Sequence, residues 1–188
     1  AGAGMAGLAA AARARDLGAE PVVLEKGDRP GGSMLLSSCV IWRYHSLEAF
    51  QEECPAGEPA LQRVIVDRLD EAIEWLESFG APVVDHETGN PRTVGKRFDP
   101  AGLTQTLVRV IGDASLRLSE RGQTPLQNAT ILSTGGFAAR LARERGLPLR
   151  ANPWSEGAGL DFALSRGGST AGDLGEFYGR ALPAGVSV

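Results

Sequence analysis

Three glycines, Gly2, Gly4 and Gly7, are spaced G-x-G-x-x-G and lead straight into an alanine-rich helical pattern running from Met5 to Leu17. A short apolar run, Pro21-Val22-Val23-Leu24, follows, with Glu25 at its end. This order of turn, helix, strand and acid is the layout of a dinucleotide-binding βαβ unit. Gly2 allows the tight turn, Gly4 lets the backbone approach a pyrophosphate, and Gly7 lets the helix pack close to a sheet. The helix N-terminus, at Met5 and Ala6, presents orphan N–H groups and a partial positive charge to phosphates. Glu25 stands where a carboxylate can accept hydrogen bonds from ribose hydroxyls. The fingerprint calls for a strand before Gly2, yet the chain starts at Ala1, so the sequence reads as part of a larger protein.

Composition narrows the function classes. At 188 residues the chain is long enough to bury one sizeable core. Its 23 acidic and 19 basic residues give a net charge of −4, and no basic run exceeds two residues, so the sequence gives no sign of a nucleic-acid surface. The 25 glycines and 11 prolines suit an α/β protein with backbone-built ligand loops better than a helical bundle. Cys39, Cys54, His45 and His86 are not spaced as metal ligands, and no metal is expected. Few cysteines, no membrane-length apolar run and no evident signal segment lead to the expectation of a cytoplasmic protein.

Periodicity sets the remaining elements. Met5–Leu17 is expected as a helix with Leu8, Ala9, Ala12 and Leu17 inward. Val22–Leu24 reads as a buried strand, and residues 27–33 (GDRPGGS) as a loop. The region from Ser46 to about Phe79 reads as mostly helical. Its stronger part places Leu61, Ile65, Leu69, Ile73 and Leu76 on one face. Residues 85–100 read as polar and turn-rich, with breakers at Gly89-Asn90-Pro91 and Asp99-Pro100. A helix is expected over 102–111, a strand near 115–118, a strand over 129–132, and helices over 138–145 and 160–165. The stretch 122–129 is short for the chain reversal it must make, as though residues were missing there.

Five places together carry a family resemblance. Residues 2–7 (GAGMAG) are followed by seventeen residues and then Glu25. Glu25-Lys26-Gly27 precedes Pro30-Gly31-Gly32-Ser33, and Ser37-Ser38-Cys39-Val40-Ile41-Trp42 follows. Ser133-Thr134-Gly135-Gly136-Phe137 comes after the expected strand at 129–132. Last are Asn152-Pro153, Gly157-Ala158-Gly159-Leu160 and Glu176-Phe177. In order and rough spacing this resembles the FAD-dependent oxidoreductase 2 family, the flavoproteins of fumarate reductase, succinate dehydrogenase and 3-ketosteroid dehydrogenase. The similarity runs the length of the chain but matches only the N-terminal part of such an enzyme.

The resemblance implies an α/β, Rossmann-like, three-layer FAD-binding domain with a mainly parallel sheet, incomplete at both ends. It covers 1–188, with a helical segment at about 46–80 inserted and the capping, substrate-binding domain absent. FAD is the implied cofactor. The implied contacts are Gly2, Gly4, Met5, Ala6, Gly7, Glu25, Lys26, Gly31, Gly32, Ser33, Ser37, Ser38, Thr134, Gly135, Gly136, Gly157 and Gly159. The serines are suited to hydrogen bonds with phosphate or flavin heteroatoms.

Departures from the family pattern bear on chemistry. Ala158 replaces an aspartate and Glu156 a threonine of the family's T-G-D-G run, and Cys39 replaces a glycine. Cys39 reads as a small buried residue rather than a flavin attachment point. His45 and His86 read as exposed. Arg180 stands where some relatives carry a substrate-side histidine; it is either a bidentate contact for a carboxylate substrate or a surface arginine. No catalytic residue is assigned. Two functions follow. One is an FAD-dependent oxidoreductase acting on a small molecule at a carbon–carbon bond next to a carbonyl or carboxylate, with the electron partner open. The other is a truncated or non-catalytic module that binds FAD or NAD without redox chemistry.

Overall fold

The computed structural model describes residues 1–121, 124–149, 151–170 and 174. Seven α-helices and five strands alternate among them: α1 (Met5–Asp16), β1 (Val23–Leu24), β2 (Val40–Tyr44), α2 (Leu47–Glu53), α3 (Pro59–Ser78), β3 (Val83–Asp85), β4 (Thr93–Phe98), α4 (Pro100–Ile111), β5 (Leu116–Arg117), α5 (Thr124–Gln127), α6 (Ala138–Arg145) and α7 (Ala158–Ser165). Gly32–Leu36 forms a 3-10 helix that begins at the end of the expected 27–33 loop.

The parallel sheet is smaller than the sequence leads one to expect. Among the described residues its one ladder joins β1 to β5, pairing Val23 with Leu116 and Leu24 with Arg117. Single hydrogen bonds carry the same pattern outward. The Gly2 amide donates to the Leu24 carbonyl (2.8 Å), and the Ser133 amide donates to the Ala1 carbonyl (2.8 Å). The Ala1 ammonium in turn donates to the Ile131 carbonyl (2.6 Å). Residues 1–3 therefore lie between β1 and the segment 131–133, which forms no strand. Ile131 is 54% exposed, so the expected buried strand at 129–132 lacks the burial that would fix it.

The larger sheet is antiparallel, in the order β2-β4-β3. Most of it was hidden in the sequence, because Thr93-Val94-Gly95-Lys96-Arg97-Phe98 looks like polar loop. Two side chains hold it down: Thr93 and Phe98 are buried, Phe98 at 1% exposure. Asp99-Pro100 is not a simple breaker but the start of α4. The Asp99 carboxylate accepts from the Gly102 amide (2.6 Å), and Pro100 takes the first turn, where no N–H is needed.

The core forms where α1 packs on α4. Leu8, Ala11 and Ala12 of α1 meet Leu103, Leu107 and Ile111 of α4, with Phe98 and Met34 beside them. Leu8, Leu103, Leu107 and Ile111 are fully buried, and each such side chain contributes about 1.5–3 kcal/mol. The inward stripe of α1 is thus 8, 11 and 12. Leu17, expected inward, lies past the helix end and is 71% exposed.

Helix α3 departs from its expected face in its first half. Ile73 and Leu76 are buried as expected, but Leu61 is 64% exposed and Ile65 is 38% exposed. Gln62 takes the inward place there, donating from Nε2 to the Cys54 carbonyl (2.8 Å) and so tying α3 to the end of α2. The sheet side of α3 is pinned by Arg43–Asp70 (2.7 Å) and Lys96–Glu77 (2.7 Å). Among the described residues, no helix is long and apolar enough to cross a membrane.

Candidate FAD-binding site

A cavity of about 510 Å³ opens at the N-terminal end of α1, within the usual range for a small-molecule or cofactor site. Gly4 caps that helix without any side-chain hydrogen bond, and no acidic residue stands in the first turn. The helix end therefore keeps its orphan N–H groups and its positive field for a ligand. Space for one is built in: a Cβ at Gly4 would meet nothing within 4 Å. Gly2, Gly4, Met5 and Ala6 all line the cavity.

Gly7 does not line it. A side chain there would run into the Gly2 carbonyl and the Ser133 hydroxyl, so Gly7 lets α1 sit tightly on the strand-like segments beneath. Gly31 is likewise structural. Its φ is +107°, its amide donates to the Ala3 carbonyl (2.7 Å), and its Cα faces Leu35 and Thr104. Gly32, with φ +52°, does line the cavity, and a Cβ on it would approach Gly4 Cα at 3.3 Å. Gly4 and Gly32 thus pack backbone against backbone at the edge of the cavity.

Glu25 lines the cavity with both carboxylate oxygens already engaged. Oε2 accepts from the Ala3 amide (2.6 Å) and Oε1 from the Gly27 amide (2.7 Å). The acid is thereby fixed in direction, and its remaining lone pairs are available to hydroxyl donors. The backbone around it is held from the other side: the Glu25 amide donates to the Arg117 carbonyl (2.8 Å) and the Ser119 amide to the Gly27 carbonyl (2.8 Å).

Ser33 and Ser37 line the cavity, and Ser38 does not. The Ser37 hydroxyl donates to the Met34 carbonyl (2.8 Å) and accepts from the Cys39 amide (3.0 Å), so it shapes the turn more than it offers a free donor. Thr134 and Gly135 line the far wall, whereas Gly136, Gly157 and Gly159 stand behind it. The Gly157 amide donates to the Gly136 carbonyl (3.2 Å), and a Cβ on Gly159 would overlap Thr134 Oγ1. These glycines press the 152–159 loop onto the 133–137 turn and so support residues that face the cavity. Glu176, Phe177 and Arg180 lie outside the described residues.

The sequence reading missed several lining residues. Cys39, Val40 and Ile41 enter along β2, Glu120 and Pro125 from the segment after β5, and Asn152, Trp154 and Ser155 from the loop before α7. Cys39 is 7% exposed at φ +52°, and burial, reinforced by Asp99, pushes its thiol pKa up. Its protonated, enclosed sulfur is a poor nucleophile. The Gly27-Trp154 approach carried a faint signal, since a glycine directly after Glu25-Lys26 invites close packing. His45 and His86 are exposed, as expected, and His45 Nε2 lies 2.9 Å from the Pro91 carbonyl oxygen.

An uncapped helix N-terminus, glycine backbone beside it and a pre-oriented carboxylate are what a pyrophosphate and its ribose need. The sequence family model for the FAD binding domain matches residues 1–110, which contain all three. The chain belongs to the FAD-binding domain family. As a member it takes FAD as its cofactor.

Relatives of this FAD-binding chain are oxidoreductases. It is 26% identical over 223 aligned positions to a fumarate reductase (cytochrome) of Shewanella frigidimarina, covering 89% of this chain and 39% of that protein. The corresponding protein of strain NCIMB 400 is also 26% identical, with 37% of its length covered. In structure the chain resembles the 3-ketosteroid-Δ4-(5α)-dehydrogenase of Rhodococcus jostii RHA1, solved with 4-androstene-3,17-dione. The TM-score is 0.65 at 18% identity, over 87% of this chain and 52% of that one. The chain therefore spans about half or less of the length of these relatives. The 223 aligned positions exceed its 188 residues, so the reductases carry internal residues with no counterpart here.

Proposed function

We propose that the protein is an FAD-dependent oxidoreductase that adds or removes hydrogen across a carbon–carbon bond next to a carbonyl or carboxylate. The observation that carries this reading is one cavity uniting the α1 N-terminus, the fixed Glu25 carboxylate and the Thr134-Gly135 wall. The relatives, a fumarate reductase and a ketosteroid dehydrogenase, support the substrate class. We read residues 1–188 as part of a Rossmann-like FAD-binding domain into which the helical segment at about 46–80 is inserted. The parallel β1–β5 pair and its outward hydrogen bonds favour that reading.

Bound FAD supplies hydride acceptance and donation. The chain's own residues bind and orient it. The α1 N-terminus faces the pyrophosphate, Glu25 accepts from ribose hydroxyls, and Gly4 and Gly32 allow close backbone approach. Cys39, Val40 and Ile41 bring a largely apolar wall from β2, which excludes water from that side of the cavity. Arg180 stays a proposed contact for a substrate carboxylate.

The test is anaerobic. The reduced flavoprotein is mixed with fumarate and with a panel of α,β-unsaturated ketones, and the oxidised form with the saturated counterparts. Return or loss of the visible flavin band with one of these supports the reading. A flavin that dithionite reduces but that none of these compounds oxidises or reduces contradicts it.

A further inference from the structure

Trp154 and Lys26 lie on different loops, 128 residues apart in sequence, yet they form one structural unit at the rim of the cavity. The Lys26 ammonium donates to the Trp154 carbonyl (2.8 Å) and pairs with Glu156 (3.6 Å). Glu156 is shared with Arg143 of α6 (3.2 Å), and these two cations hold its carboxyl below the usual range, Arg143 first. The Trp154 ring lies so close to Gly27 that any Cβ there would overlap it. The Trp154 amide donates to the Asn152 side chain (3.0 Å), and the Arg121 guanidinium sits 5.7 Å from the ring centroid. Lys26, Trp154 and Asn152 all line the cavity.

Position in the cavity indicates what this unit meets. Gly4 and Met5 mark the pyrophosphate and Glu25 the ribose. Trp154 packs on Gly27, two residues beyond Glu25, and lines the same cavity. We propose that Trp154 forms the wall against the adenine of FAD and that Lys26 is the positioning residue that latches this wall shut. A rigid aromatic surface suits a purine, which it can contact at little entropic cost. The Lys26 tie crosses from the 25–33 loop to the 152–157 loop. Its loss frees the Trp154 loop without removing any group that touches the cofactor's phosphates. Glu156 gives Lys26 and Arg143 a common partner, so the tie reaches α6 as well.

This inference rests on the FAD reading, and the experiment separates the two. Apoprotein, stripped of flavin from the full chain, is titrated with FAD and separately with ADP, for the wild type and for Lys26→Met, Lys26→Arg, Trp154→Ala and, as a surface control, Arg68→Met. Circular dichroism confirms that each variant is folded. Loss of a charge-assisted hydrogen bond weakens binding by about tenfold. The latch predicts that Lys26→Met and Trp154→Ala raise the Kd for FAD and for ADP by a similar factor, that Lys26→Arg recovers most of the loss, and that Arg68→Met changes nothing. Unchanged Kd values in Lys26→Met, or a loss for FAD with none for ADP, overturn the latch while leaving the FAD reading in place. A folded wild type that binds neither ligand overturns the FAD reading itself and the latch with it.

Discussion

Gly2 and Ser133 face each other so closely that a Cβ on Gly2 would run into the Ser133 carbonyl. Gly2 also has φ +103°, a backbone region that other L-residues avoid. Residues 1–3 and 131–133 can therefore approach only because position 2 has no side chain, and that approach forms both the floor of the cavity and the seat of α1. Gly2→Ala is expected to cost at least about 2 kcal/mol from strain and displaced backbone. The measurement is the urea midpoint of the variant with and without FAD. A midpoint within error of the wild type would show that the contact has no structural role.

Glu25 is fixed by two backbone donors, the amides of Ala3 and Gly27. Glu25→Gln puts an NH2 group against one of these N–H groups. Losing a charge-assisted hydrogen bond of this kind costs about 1.5–3 kcal/mol. The expected result is a rise of about tenfold or more in the FAD Kd, read by flavin fluorescence. Glu25→Asp, which keeps the charge but shortens the reach, should fall between the wild type and Gln.

These two predictions concern what the sequence made legible. The glycine spacing and the acid after seventeen further residues marked the helix N-terminus and the ribose side, because their roles depend on local backbone geometry alone. Trp154 and Glu120 were not readable in that way. They reach the cavity from loops whose placement depends on distant packing, and no local spacing encodes it. The antiparallel sheet was hidden for a similar reason: β4 carries two adjacent cations, Lys96 turned to Glu77 of α3 and Arg97 exposed, and only Thr93 and Phe98 at its ends are buried. On α3 the apolar pattern was read correctly over Ile73 and Leu76. It failed at Leu61 and Ile65, where Gln62 turns inward toward the end of α2.

Leu107 lies at the centre of the α1–α4 contact and is fully buried. Leu107→Ala leaves a cavity beneath the helix that presents its N-terminus to the cofactor. The expected cost is about 2–5 kcal/mol, read from chemical denaturation. FAD should restore part of the lost thermal stability, because binding favours the native state in proportion to its concentration over Kd.

The pair Arg43–Asp70 joins β2, one wall of the cavity, to α3. The Arg43 side chain is 16% exposed and that of Asp70 is 63% exposed. Hydrogen bonding to Arg43 holds the Asp70 pKa below its ordinary value. A depressed carboxyl pKa contributes stability that is fully present above the unfolded-state value and is lost as pH falls through the folded value. Because Asp70 is largely exposed, the contribution is discounted to at most about 1 kcal/mol. The wild type should lose more stability than Asp70→Asn between pH 6 and acid pH, where "about pH 3" marks the end of the carboxylate range. Parallel pH profiles for the two would remove the pair from the account.

Cys39 is enclosed, and burial pushes its thiol pKa up, while Cys54 is partly exposed. In the native protein at mildly alkaline pH, iodoacetamide should label Cys54 first, with Cys39 reacting only after unfolding. Mass spectrometry of peptides after timed labelling reads this directly. Equal rates would place Cys39 in contact with solvent.

The most direct test of the central claim is the visible spectrum of the purified, folded protein before and after denaturation, with Glu25→Gln and Gly2→Ala beside it. The account predicts flavin bands, FAD released on denaturation, and less flavin in both variants. A folded wild type that is colourless and takes up no added FAD would contradict it.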